Sequence, residues 1–211
     1  MRPKNLAKEE AIRSLALQII ADEGLENLTM QKLAMAANIS PRTIYIKYEN
    51  KEDLLIKLFI GEVLDAYEKA MIGNFRVHMD FAEGVRLLWS NAFSYLKNNR
   101  PAFILIQYGK SSPLLNNAYR QRNIRHDTHF TLVHEFLKIN ASRGVIKYFP
   151  MDVYRSLLFS PLLDLVNEYF DHQSRRRQIV TKNMLMECCD AVIKGLHLSS
   201  NQTIDVNYPK A

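Results

Sequence analysis

The stretch that decides the fold is Thr29–Leu55, TMQKLAMAANISPRTIYIKYENKEDLL. It reads as two short helices and the start of a third. Thr29 is placed to cap the first helix, its hydroxyl accepting one of the free backbone N–H groups. Leu33, Ala34 and Ala37 recur at helical spacing and give that helix a small, apolar face. Asn38 falls where the helix must stop, and Asn tolerates the left-handed backbone of a tight turn. Ser40-Pro41 restarts the chain, with Ser as N-cap and Pro at the first helical position. Ile44 then points inward, which leaves Arg42, Thr43, Tyr45, Ile46 and Lys47 around the remaining faces. Asn50-Lys51-Glu52-Asp53 carries another cap signal and opens the third helix.

Helix, tight turn, short polar-faced helix is the layout of a helix-turn-helix. The second helix has no apolar surplus to give to a core. Its Arg, Thr, Tyr and Lys are side chains that reach phosphates and base edges. The run resembles the DNA-binding domain of the TetR family of transcriptional regulators. The residues that carry the resemblance are Thr29, Leu33-Ala34, Ile39-Ser40, Thr43-Ile44-Tyr45, Tyr48 and Lys51-Glu52-Asp53-Leu54-Leu55. Upstream, Ile12, Ala16, Ile20 and Glu23-Gly24-Leu25 match that family's first helix and its terminating glycine. Asn38 stands where Gly is usual and Tyr48 where Phe is usual; each keeps the local chemistry. The match covers roughly the first quarter of the chain and is loose beyond it.

The resemblance implies roles residue by residue. Thr29, Tyr45, Lys47 and Lys51 are expected on phosphates. Pro41, Arg42, Thr43 and Ile46 are expected to face base edges, and Ser40 and Tyr48 complete the DNA-binding set. Physically, Arg42 can pair bidentately with a guanine, and the Thr43 and Ile46 methyls can meet a thymine methyl. The alternative for all of them is a solvated face on an ordinary small helix.

Composition bounds the rest. The chain has 211 residues, enough for a large core, and its 7 Gly and 7 Pro supply little turn material, which favours long helices. No apolar run approaches the length of a membrane span, and no apolar signal-like core follows Met1-Arg2-Pro3-Lys4. A cytoplasmic location is the default expectation. The two cysteines, Cys188 and Cys189, are adjacent and cannot build a disulfide framework. The net charge of +6 does not identify a DNA-binding surface, because residues 1–60 hold nine Lys or Arg against eight Asp or Glu. Affinity for DNA must come from local placement: Arg42, Lys47 and Lys51 against Glu49 alone in that run.

The predicted fold is all-α. It has a helix-turn-helix domain over 1–50, a regulatory and dimerisation domain over 51–200 joined to it by a continuous helix, and a tail over 201–211. Residues 1–5 read as a polar arm or a disordered terminus and Leu6–Asp22 as the first helix, closed by Gly24. A longer helix runs from Lys51 to about Ile72 and stops at Gly73-Asn74. Phe81–Leu96 is helical, Pro101 starts a short apolar helix over Phe103–Tyr108, and Gly109–Pro113 reads as a loop. Leu114 to about Ile139 is one long helix or two. Asp152–His172 and Gln178–His197 form a final pair. The first of them is apolar nearly all round, as a buried or interfacial helix is. In the family resembled, the last two helices form the dimer as a four-helix bundle.

The stretch Gly84–His126 contains no Asp or Glu and seven Lys or Arg, interleaved with aromatics. Trp89, Phe93, Phe103, Tyr108, Phe130 and His134 are the candidates to line a pocket for an anionic or aromatic ligand, although solvated helix faces explain the charges more simply. His126 and His129 stand three apart on one predicted helix, but with no HExxH and no paired CxxC they read as polar histidines and not as a metal site. Cys188-Cys189 reads as packed thiols and not as a redox pair, since helical neighbours point about 100° apart. No phosphate-cradling glycine loop and no nucleophile elbow is present, and no cofactor is implied. The resemblance therefore implies a homodimeric DNA-binding regulator, most plainly a repressor, that answers to a small molecule. A helical binding protein whose head no longer reads DNA is the alternative from another class, and an enzyme has no supporting residue.

Overall fold

The computed structural model describes residues 3–126, 130–173 and 177–198, with side chains except at 3–8 and 123–126. The chain is all-α, as expected. Among the described residues there is no strand, only an isolated bridge between Ile146 and His197. By packing, the chain falls into two units, neither of which ends at residue 50. One comprises Met1–Asn74 and Ser90–Thr131, the other Phe75–Trp89 and Leu132–Ala211.

The first unit opens with α1, Pro3–Glu23. The helix begins before the expected Leu6, so Pro3, Lys4 and Asn5 are helical rather than an arm. A proline in a first turn costs nothing, because its missing N–H would have no partner there. A 3-10 turn, Leu25–Asn27, leads to α2, Met30–Ala36, and α3, Pro41–Tyr45. The helix that follows is α4, Lys51–Leu58. It does not run as one regular α-helix to Ile72. Phe59–Leu64 is a π turn, and α5, Asp65–Met71, follows.

The π turn has a visible counterpart in α7, Arg100–Ser111. The expected loop at Gly109 is instead helix, and a Cβ there would lie 2.6 Å from the Phe59 ring. Glycine at 109 lets α7 approach the turn closely, a tertiary reason that outweighs glycine's poor helix propensity. The second half of α6, Phe81–Asn98, also belongs to this unit. So does α8, Pro113–His126, a separate helix from the next one, α9. The core of the unit holds Ile12, Ala16, Ile20, Leu28, Leu33, Ile44, Leu54 and Leu58, all buried.

The second unit contains the start of α6, α9, Thr131–Ser142, α10, Met151–Gln173, and α11, Lys182–Leu196. The Phe81 and Phe136 rings stack at 5.7 Å, and Phe75 meets Phe136 edge-on at 5.1 Å. Helix α11 starts four residues later than the expected Gln178, because Thr181 is its cap, accepting from the Met184 N–H at 3.2 Å. The expected tail, 201–211, lies outside the described residues.

Candidate nucleic-acid interface

Three caps hold the reading head in register. Thr29 Oγ1 accepts from the Lys32 N–H at 3.1 Å. Ser40 Oγ accepts from the Thr43 N–H at 3.4 Å, and Asn50 Oδ1 from the Asp53 N–H at 2.8 Å. Asn38 has φ 51, the left-handed conformation read for the turn. Each cap contributes about 1 kcal/mol. Together they matter because α3 is only five residues long and cannot hold itself as an isolated helix. Its one buried side chain is Ile44, fully enclosed where α3 packs on α2.

With Ile44 inward, the other faces of α3 are turned out. Pro41 and Arg42 are exposed, Tyr45 is 51% exposed and Ile46 76% exposed. Thr43 is half-buried, its Oγ1 3.0 Å from Ser40 Oγ. No carboxylate among the described residues pairs with Arg42. An apolar side chain as exposed as Ile46 has a use when it meets a thymine methyl. Met35 on α2 is 81% exposed beside this surface and was not read from the sequence as a contact. Its signal was helical phase, since it lies off the stripe made by Met30, Leu33 and Ala34.

Three residues of the expected set are turned inward. Tyr48 is 4% exposed and belongs to the core of the head, with the Lys57 ammonium 5.3 Å from its ring centroid. Burial raises its hydroxyl pKa above the ordinary tyrosine value, with Arg13 pulling the other way. Lys47 Nζ is bound to Glu9 Oε1 of α1. Lys51 Nζ donates to the Leu25 carbonyl at 2.7 Å, closing the 3-10 turn. Tyr48 is therefore corrected from a surface contact to a packing residue. Lys51 spends one of its three N–H donors inside the protein and keeps two. A phosphate would have to compete with Glu9 for Lys47. Thr29 is exposed, and its hydroxyl serves the cap.

The candidate ligand residues divide between the units. In the first, Phe93 and Phe103 are buried, and Tyr108 and Phe130 are half-buried. The Phe130 ring lies edge-on to Tyr67 at 6.1 Å. In the second, Trp89 is fully buried, and its indole N–H donates to the Leu158 carbonyl at 2.9 Å. His134 is half-buried on α9, a different helix from His126. His129 and the His126 side chain lie outside the described residues. Among those described, no three His, Cys, Asp or Glu side chains come together as a metal site. Cys188 is half-buried and Cys189 buried, both free, and burial pushes the Cys189 thiol pKa up to about 12. No described helix is long and apolar enough to cross a membrane.

Residues 12–58 match the family model described as bacterial regulatory proteins, tetR family. An uncharacterized HTH-type transcriptional regulator of Haemophilus influenzae is 30% identical over 128 residues, 60% of this chain and 68% of that protein. The fatty acid metabolism regulator protein of Bacillus subtilis is 23% identical over 197 residues, 93% of this chain and 97% of that protein. A TetR family transcription regulator from Marinobacter aquaeolei shares the fold with a TM-score of 0.73 at 22% identity, over 93% of this chain and 99% of that one. With its capped reading helix, the left-handed turn at Asn38 and these relatives, the chain belongs to the TetR family of DNA-binding transcriptional regulators.

Proposed function

We propose that the protein is a ligand-responsive repressor that binds its operator as a homodimer. The observation that carries this reading is the outward face of α3: Arg42, Tyr45 and Ile46 exposed on a helix fixed by its Ser40 cap and by Ile44. Arg42, with Pro41, Thr43 and Ile46, reads base edges in the major groove. Thr29, Ser40, Tyr45 and the two remaining Lys51 donors sit on phosphates and set the register. Residues 1–50 act as the reading head and 51–200 as the regulatory part. These are divisions of function and not of packing.

Homodimerisation is supported by the last two helices. On α10 Val153 is 37% and Leu157 42% exposed, and on α11 Met184 is 45% exposed. On successive turns after Met184 come Cys188, Ala191 and Gly195, and a Cβ on Gly195 would meet nothing within 4 Å. Two such faces, apolar and small, suit close packing of four helices about a two-fold axis. A dimer would present two copies of α3 to successive major grooves of a near-palindromic site.

The effector reading rests on Phe93, Phe103, Tyr108 and Phe130 of the first unit, and on the full-length similarity to a fatty acid metabolism regulator. Together they support an effector built on an acyl chain. Such a ligand releases DNA only by binding the released geometry more tightly than the DNA-bound one. The test is a gel shift on a selected operator. Arg42→Ala should relax sequence preference, whereas Lys51→Ala should weaken all sequences alike. Fatty acids and acyl thioesters should dissociate the wild-type complex. If Arg42→Ala leaves sequence preference unchanged, the reading of α3 is wrong.

A further inference from the structure

A cleft of about 520 Å³ opens inside the first unit, beside the reading helix. Its wall is built from α1, the turn after α3, α4 with the π turn, and α8. Four cations face it: Arg13, Lys47, Lys57 and Arg122. Two carboxylates, Glu9 and Glu62, answer them, and Ile56 and Ile60 supply an apolar wall. The lining thus carries an excess of positive charge in a space of the size that holds small molecules.

The existing pairs account for part of that charge. Glu9 binds Lys47 and lies 3.8 Å from Arg13 Nη1. Glu62 Oε1 lies 2.8 Å from Arg13 Nε, a charge contact without hydrogen-bond direction. Lys57 is held by Asp53 at 2.8 Å and donates to the Lys47 carbonyl at 3.1 Å. Arg122 on α8 has no carboxylate partner among the described residues. Its Nε is enclosed and has no hydrogen-bond partner. A buried guanidinium N–H without an acceptor is destabilising, and the planar fork of Arg suits an oxyanion better than any other side chain does.

We propose that this cleft binds a small oxyanion, a phosphate or carboxylate group, with Arg122 as its principal ligand. Lys47 and Arg13 turn from Glu9 towards the bound anion. The occupied cleft keeps Lys47 against the protein, so the anion weakens duplex binding, and by linkage DNA weakens anion binding by the same factor. This second half rests on the reading of the head as a DNA-binding surface; the site itself does not.

The experiment uses the full chain. Isothermal titration calorimetry without DNA compares sodium phosphate with sodium chloride at matched ionic strength. Sodium butyrate in a second arm separates a preference for phosphate from one for carboxylate. The expected result is saturable binding, one anion per chain, weakened about tenfold or more by Arg122→Met. Ala118→Glu is the second variant, since it places a carboxylate in the cleft and leaves Arg122 intact; it should abolish binding. Fluorescence anisotropy with a random duplex should then show phosphate weakening wild-type binding at matched ionic strength and sparing Arg122→Met. Absence of saturable binding for both anions, or binding unchanged in both variants, overturns the site. Anion binding that leaves duplex affinity untouched overturns the competition. A wild-type chain that binds no duplex refutes the reading of the head and leaves the calorimetric result standing.

Discussion

Glu9→Gln tests how the head's charge is distributed. Glu9 and Lys47 are 17% and 20% exposed at the side chain, and the pair joins α1 to the turn after the reading helix across 38 residues. An exposed ion pair contributes well under 1 kcal/mol, and breaking a fully buried one costs about 3–5 kcal/mol. A pair this sheltered falls between, at about 1–2 kcal/mol. A phosphate that takes Lys47 must offset that energy. Removing the carboxylate should therefore strengthen binding to random duplex by roughly five- to thirtyfold. One further phosphate contact should also steepen the slope of log affinity against log salt by about 0.9. The assay is fluorescence anisotropy across a salt series, with Glu10→Gln as control. Glu10 is exposed, removes the same charge, and pairs with no described residue. Thermal stability should fall by about 2–8 °C in Glu9→Gln. If both variants strengthen binding equally and neither changes the slope, Lys47 is not held off DNA by Glu9, and only net charge matters.

Other outcomes follow from single contacts. Ser40→Ala should cost about 1 kcal/mol of stability and lower affinity for every duplex, because α3 loses its cap; chemical denaturation and anisotropy read the two effects. Gly109→Ala should destabilise by about 1–3 kcal/mol as the new methyl meets Phe59, measured by urea denaturation. Leu157→Arg should leave the fold intact and shift the protein to monomers in light scattering, since the side chain is already exposed on α10. Cys189 binds its proton more tightly when folded, its pKa raised by burial from 9.0 to about 12. Between those values the native state holds more protons than the unfolded chain, so stability should fall as pH rises from about 9 to 12. Over the same range Cys188 should be alkylated before Cys189.

The head was legible in the sequence because its determinants are local. Thr29, Ser40 and Asn50 each act within three residues, and Asn38 declares its own turn. What the sequence did not show depends on distant partners. The π turn and the helical Gly109 explain each other across some 50 positions, through Phe59. The reading of Lys47 and Lys51 as phosphate contacts missed how each ammonium is engaged within the protein. Glu9 and the Leu25 carbonyl reach them from α1 and the 3-10 turn, and nothing in the run Thr29–Leu55 announces either. Tyr48 followed the family pattern into the contact set, whereas helical phase places it four residues after Ile44, on the buried face.

The central claim is that the outward face of α3 recognises sequence. Selection of bound duplexes from a random library, with wild type and Arg42→Ala in parallel, tests it most directly. The account predicts an enriched, near-palindromic site for the wild type and a loss of preference at one guanine in each half-site for Arg42→Ala. Enrichment of the same site by both proteins, or of none by the wild type, would contradict it.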